Sequence, residues 1–200
     1  MEFEFRKGML KFTKVLSDLD KFVFDFLDVL ESNKIEYVIV SGYVSIILGR
    51  TRTTEDIDIF IRKMDFKKYE KFFEHLEKEG YWIINAADME EPFKMLEDGL
   101  GIRISKKGRA IPNFEIKFAK KETDFLSLNK PLEVEVNNKR IFMSPLEIQI
   151  AFKLWLGSDK DIEDAIHIYE IFKDNLDRKL LINTAKLLKV EKEMNKYGIE

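Results

Sequence analysis

Leu16, Leu19, Phe22, Val23, Phe26, Leu27 and Leu30 recur at three- and four-residue steps, which predicts a helix over 15–32 with one apolar face. The apolar run Tyr37-Val38-Ile39-Val40 then reads as a strand, stopped by Ser41-Gly42. A short helix is expected over 44–48, ended by Gly49, and a polar loop over 50–54. Residues 56–61 alternate polar and apolar, the period of a half-buried strand. Helical spacing returns with Phe66, Tyr69, Phe72, Phe73 and Leu76 over 66–79 and stops at Gly80.

A strand follows over 81–84, then a short helix over 89–96. Segments 101–105 and 113–118 read as a strand pair whose turn is punctuated by Gly108 and Pro112. Segments 132–136 and 140–143 read as a hairpin about Asn137-Asn138. From 144 onward the pattern is helical. Ser144-Pro145-Leu146-Glu147 has the form of a capping box with Pro at the first helical position. Asp159 is expected to cap the next helix, with Ile162, Ala165, Ile166 and Tyr169 facing inward. The fold class is α/β (α+β): a body over 1–143 that includes the N-terminal helix, and a helical segment over 144–200.

Composition narrows the function. In 200 residues, 45% hydrophobic and 12% aromatic content predicts a folded chain. The balance of 34 Lys+Arg against 37 Asp+Glu gives a net charge of −3, which argues against general coating of nucleic acid. With no Cys, disulfides, thiol catalysis and zinc-thiolate sites are excluded, and two isolated histidines, His75 and His167, cannot make an all-histidine metal site. No stretch approaches the ~20 apolar residues of a membrane span, and the charged N-terminus lacks a leader's apolar core, so a cytoplasmic location is expected. Charged residues reach 36% with a Lys/Glu bias and one Gln, the bias of heat-adapted proteins.

Candidate chemistry centres on Asp56 and Asp58. Two residues apart on a strand, they share a face at roughly 7 Å between Cα atoms. Their mutual repulsion would be relieved by a hard, oxygen-liganded divalent cation of the Mg²⁺ kind. Similar acid–apolar alternation in Glu2-Phe3-Glu4-Phe5 and Glu133-Val134-Glu135-Val136 reads simply as the wet faces of strands. The Asp pair differs in using a poor strand former and in following a strand–Ser-Gly–helix unit with Arg50 and Arg52 between. Gly42 would let backbone approach a ligand, and the next helix start would offer N–H groups to a phosphate.

This combination resembles the nucleotidyltransferase superfamily with the DNA polymerase β-like fold. Val40-Ser41-Gly42, thirteen intervening residues (43–55) and Asp56-Ile57-Asp58 match its signature, with Ser41 standing where a first Gly is usual. Met143-Ser144-Pro145-Leu146-Glu147, Lys153-Leu154 and Lys160-Asp161-Ile162-Glu163-Asp164 look like the helical segment of the AbiE-type toxin branch. The resemblance implies a mixed sheet and Mg²⁺-dependent transfer of NMP from an NTP to a hydroxyl, with two ions and Mn²⁺ as a substitute. Asp56, Asp58 and Glu115 would be the metal ligands and catalytic carboxylates, with Glu115 also a general base. Ser41, Gly42, Arg52 and Lys153 would bind the nucleotide. The implied acceptor is a tRNA or other RNA end, a protein or a small molecule, with an antitoxin as a further partner. The cluster Lys106, Lys107, Arg109 and Lys120-Lys121 reads first as solubilising loops and leaves a tRNA-sized acceptor open. A relative that binds nucleotide or a partner without turnover is the alternative.

Overall fold

The alternating segment after the arginine loop becomes an interior strand of a nine-stranded mixed sheet, in a computed structural model that describes residues 2–6 and 8–199. The chain opens with strands β1 (Glu4–Arg6) and β2 (Met9–Phe12), helix α1 (Asp18–Ser32), β3 (Tyr37–Val40), α2 (Gly42–Ile47) and β4 (Asp56–Ile61). Next come α3 (Phe66–Lys78), β5 (Tyr81–Ile83), α4 (Glu90–Asp98), β6 (Ile102–Lys106), β7 (Asn113–Phe118) and α5 (Glu122–Asn129). The hairpin β8 (Leu132–Val136) and β9 (Lys139–Met143) leads into α6 (Leu146–Leu156), α7 (Asp159–Phe172), α8 (Arg178–Leu188) and α9 (Glu191–Lys196).

The strand order is β1-β2-β8-β9-β3-β4-β7-β6-β5. The pairs β2–β8, β9–β3 and β4–β7 are parallel and the others antiparallel. One face carries the main core. Ile57, Ile59 and Ile61 of β4 and Phe114, Ile116 and Phe118 of β7 are all buried there. The Phe114 ring stacks on Phe26 of α1 at 3.9 Å between centroids and on Phe22 at 4.5 Å. Each such side chain contributes about 1.5–3 kcal/mol of burial. On the opposite face a small cluster of Val38, Val40, Ala119 and Leu128 supports the sheet under α5. Phe60 of β4 packs on that cluster, and the same face carries the polar residues Asp56, Asp58, Glu115 and Lys117 of β4 and β7.

Several element ends differ from the periodicity. Helix α1 starts at Asp18, not near Val15, because Ser17 and Asp20 form a reciprocal capping box there. The expected box at Ser144 does not form. Ser144 Oγ pairs with Ser127 Oγ at 2.8 Å, Glu147 accepts from the Asp177 amide at 2.7 Å, and Pro145 takes the cap position. Ser158, not Asp159, is the N-cap of α7. Helix α5 has no counterpart in the periodicity: its Glu-Thr-Asp-Phe-Leu-Ser-Leu-Asn segment has no clean apolar stripe, and Phe125 is exposed. Ile166 is only half-buried against the core, whereas Ile162, Ala165 and Tyr169 are buried.

Asp20 ties α1 to the helix after β3. Fully buried, it accepts from the Ser17 amide and hydroxyl at 2.8 Å each and from Tyr43 Oη at 2.8 Å, and Lys14 Nζ lies 3.0 Å away. Burial pushes the Asp20 carboxyl up, but these donors together outweigh it and hold the group below its ordinary value. Because folding lowers this pKa, the stabilisation is complete above the unfolded value of ~3.9 and fades as the pH falls through the lower folded value. Asp20→Asn is therefore expected to cost about 2–3 kcal/mol at neutral pH. Its melting temperature should converge on that of the unsubstituted chain as the pH falls below about 4, followed by circular dichroism.

Candidate active site

The period of a strand decides where the acidic residues go. With Ile57, Ile59 and Ile61 committed to the core, Asp56 and Asp58 must point to the other face. In the ladder Asp58 lies opposite Val40 of β3 on one side and Glu115 of β7 on the other. Phe114 and Ile116 pin β7 in the same way, so Glu115 turns toward the aspartates. Oxygens of Asp56, Asp58 and Glu115 all lie within 4.8 Å of one another.

This proximity has an electrostatic cost. Burial, then the charges of Asp56 and Glu115, push the Asp58 carboxyl up to about 6, against opposition from Lys117 and a hydrogen bond from Ser41. Glu115 goes the other way. Burial raises it, but Lys117 and Arg103 outweigh burial and hold it below its ordinary value. Lys117 Nζ pairs with Glu115 Oε1, and Arg103 Nη2 stands 3.5 Å from Oε2. A residue held ionised in this way suits a ligand better than a proton acceptor. Three convergent carboxylates with no nitrogen or sulfur donor among them fit a hard divalent cation.

Beside the triad, β3 ends in a sharp turn. Ser41 has φ 63° and ψ −134°, a conformation that costs a non-glycine residue of order 1–3 kcal/mol. Its amide donates to Gln149 Oε1 of α6 at 3.1 Å, so this N–H is already committed. At Gly42 an added Cβ would stand 3.2 Å from Arg52 Nη2, and the missing side chain is what lets the guanidinium lie against the turn. Ser41, Gly42 and Arg52 are thus brought together next to the Asp58 strand.

Lys153 is not brought to the groove. Its side chain is 2% exposed, and Nζ lies 2.7 Å from Asp161 and 3.1 Å from Asp164, both on α7. The expectation of a lysine reaching out to phosphates is corrected accordingly. A lone ammonium so deeply buried would be prohibitively costly, and the two carboxylates of the next helix close over it. The basic cluster is also dispersed. Lys106 Nζ sits 3.7 Å over the Tyr81 ring and donates to the Glu79 carbonyl, while Lys120 donates to the Glu97 carbonyl.

Lys117 shares the Glu115 face by strand alternation and pairs with it, but sequence reasoning missed Arg103, which also neutralises Glu115 and looks like an ordinary strand cation. Gly101 matters through space alone. A Cβ there would stand 2.9 Å from Glu115 Cγ and 3.0 Å from Lys117 Cε. Its only sequence signal is a second glycine two residues after Gly99. Gly101→Ala is expected to leave the fold intact and push Glu115 aside. A Mn²⁺ titration should then show affinity several-fold weaker than that of the unsubstituted chain.

No protein of curated function matches the sequence significantly. Solved structures share the fold at low identity. An antigenic nucleotidyltransferase-like protein from Paracoccidioides brasiliensis has a TM-score of 0.53 at 17% identity, over 90% of this chain and 91% of that one. ANT(2″)-Ia in complex with adenylyl-2″-tobramycin has a TM-score of 0.56 at 12% identity, over 86% and 98%. The lincosamide antibiotic adenylyltransferase LnuA, lincomycin-bound, has a TM-score of 0.51 at 17% identity, over 79% and 99%. The family described as "Nucleotidyl transferase of unknown function (DUF2204)" matches residues 20–198, nearly the whole length. With its mixed sheet and a match over nearly its whole length, this chain belongs to that family.

Proposed function

We propose that this protein transfers a nucleoside monophosphate from an NTP to a hydroxyl acceptor, using the Asp56–Asp58–Glu115 cluster as a divalent-metal site. The observation that carries this reading is the convergence of three carboxylates within 4.8 Å beside the turn at Gly42. Two bound Mg²⁺ ions, or Mn²⁺ in their place, would supply charge neutralisation on the phosphates and a lowered pKa for the attacking hydroxyl. Asp56 and Asp58 of β4 and Glu115 of β7 would hold these ions. Lys117 and Arg103 keep Glu115 ionised, so the hydroxyl proton leaves to water rather than to Glu115. Arg52 donates to the phosphates alongside Gly42, where no side chain stands in the way, and Ser41 steers Asp58 through its hydroxyl. The acceptor oxygen forms its bond to the α-phosphorus as the bond to the bridging oxygen breaks, and pyrophosphate departs.

For the acceptor, the AbiE-type resemblance favours an RNA end or a protein within a toxin–antitoxin pair, and the shared fold of antibiotic adenylyltransferases favours a small molecule. ATP is the donor to test first. A second reading has one observation behind it: the Ser41 amide, at the position of a usual glycine, is spent on Gln149, which fits a relative that binds nucleotide without turning it over.

Pyrophosphate release from each of the four NTPs, with Mg²⁺ and then with excess EDTA, tests the proposal. Turnover should vanish with EDTA and return with Mg²⁺ or Mn²⁺. Asp58→Ala should lower the rate on the order of 100-fold or more. Equal turnover in the variant would remove the triad from the chemistry, and metal-dependent binding with no pyrophosphate would establish the non-catalytic reading. In the metal-free state Asp58→Asn should melt no lower than the unsubstituted chain, because one of three crowded charges is gone.

A further inference from the structure

Behind the turn at Gly42 lies an ion network that the metal cluster does not explain. Asp164 of α7 is fully buried, and three cations converge on it. Arg50 Nε lies 3.1 Å from Oδ1, Lys153 Nζ lies 3.1 Å from Oδ2, and Arg52 Nη1 also pairs with Oδ2. Asp161 and Glu163 take further contacts from Lys153 and Arg50. Arg50, Arg52 and Lys153 thus balance Asp161, Glu163 and Asp164.

The geometry points to Asp164 as a positioning residue for the nucleotide site: it clamps one arm of Arg52 so that the other arm faces the phosphates of a bound NTP. This inference rests on the reading above that those phosphates lie at Gly42. Three observations support it. Arg52 belongs to a loop without regular structure, so nothing in the backbone ladder fixes its side chain. Its Nη1 is held by Asp164 and its Nε reaches the Thr53 carbonyl at 3.4 Å, while Nη2 has no acceptor among the described residues. Nη2 is also the atom nearest the space a Gly42 side chain would fill, at 3.2 Å. A guanidinium anchored through one nitrogen keeps its planar fork in one orientation, so a phosphate meets a donor already in place. Lys153 acts one step further back. Sharing Oδ2 with Arg52, it offsets the charge of Asp161 and Asp164 and never touches the nucleotide.

The test is calorimetric binding of α,β-methylene-ATP and of AMP, both with Mg²⁺, to the full chain. Asp164→Asn should weaken the triphosphate analogue by ~10-fold or more and leave AMP nearly unchanged, since the lost contact is to the outer phosphates. Arg52→Gln should do the same, and the double variant should be no weaker than Arg52→Gln alone. Unchanged triphosphate affinity in a folded Asp164→Asn, or additive losses in the double variant, overturns the inference. Should Asp164→Asn fail to fold, nitrogen NMR of the Arg52 guanidinium in the unsubstituted chain decides. Separately resolved Nη signals, one of which shifts with the analogue, support the clamp, and averaged signals that do not move overturn it. An unsubstituted chain that binds no nucleotide overturns the proposed function itself, an outcome distinct from a bound nucleotide indifferent to Asp164.

Discussion

The parallel pairing of β4 with β7 is the constraint on which the site depends. Left to themselves, three carboxylates would separate, and the Asp58 carboxyl is pushed up first by burial and then by the charges of Asp56 and Glu115. What overrides them is a six-residue register, Asp56 to Ile61 against Asn113 to Phe118, locked by isoleucine and phenylalanine side chains on the reverse face. A slip of one residue would send every acid into the core and every isoleucine into the groove. The same apolar burial that folds the sheet therefore also sets the spacing of the charges.

Around this fixed centre the cations are sorted by depth. Arg103 and Lys117 are partly exposed and touch the acid they serve, so Glu115 stays ionised without being walled off. Arg50, Arg52 and Lys153 belong to a separate and deeper group answered by α7. Through that group the C-terminal helices reach the loop between α2 and β4, which is the stretch that delivers Asp56 to the sheet. The site is therefore assembled from sheet, loop and helical segment together.

Much of this was legible in the chain. Alternation in β4 was enough to put Asp56 and Asp58 on one side, because a period of two follows from backbone geometry alone, whereas Glu115 was singled out only through the family resemblance and stands beside them because β7 pairs with β4. The turn at Ser41-Gly42 was visible for the same kind of reason. Lys153 was not, since a lysine on an amphipathic helix looks the same whether it snorkels outward or is trapped by two acids eight and eleven positions later. Ser144 misled because its capping pattern is local, while Ser127 and Asp177, which claim Ser144 and Glu147, arrive from distant segments. Gly101 left only the faint mark of a second glycine after Gly99, since its role is to leave a gap for Glu115 and Lys117.

The sheet tapers at both ends. Its outermost members, β1 and β5, have three residues each, while the interior strands run to six. A strand so short shows a passing chain very few unpaired amides, too few to seed an intermolecular ladder. The hairpin β1–β2 covers β8, whose five residues would otherwise be the open margin. In this way strands β1 and β2, both ahead of the family-matched region, act as a bumper against neighbouring copies zipping edge to edge.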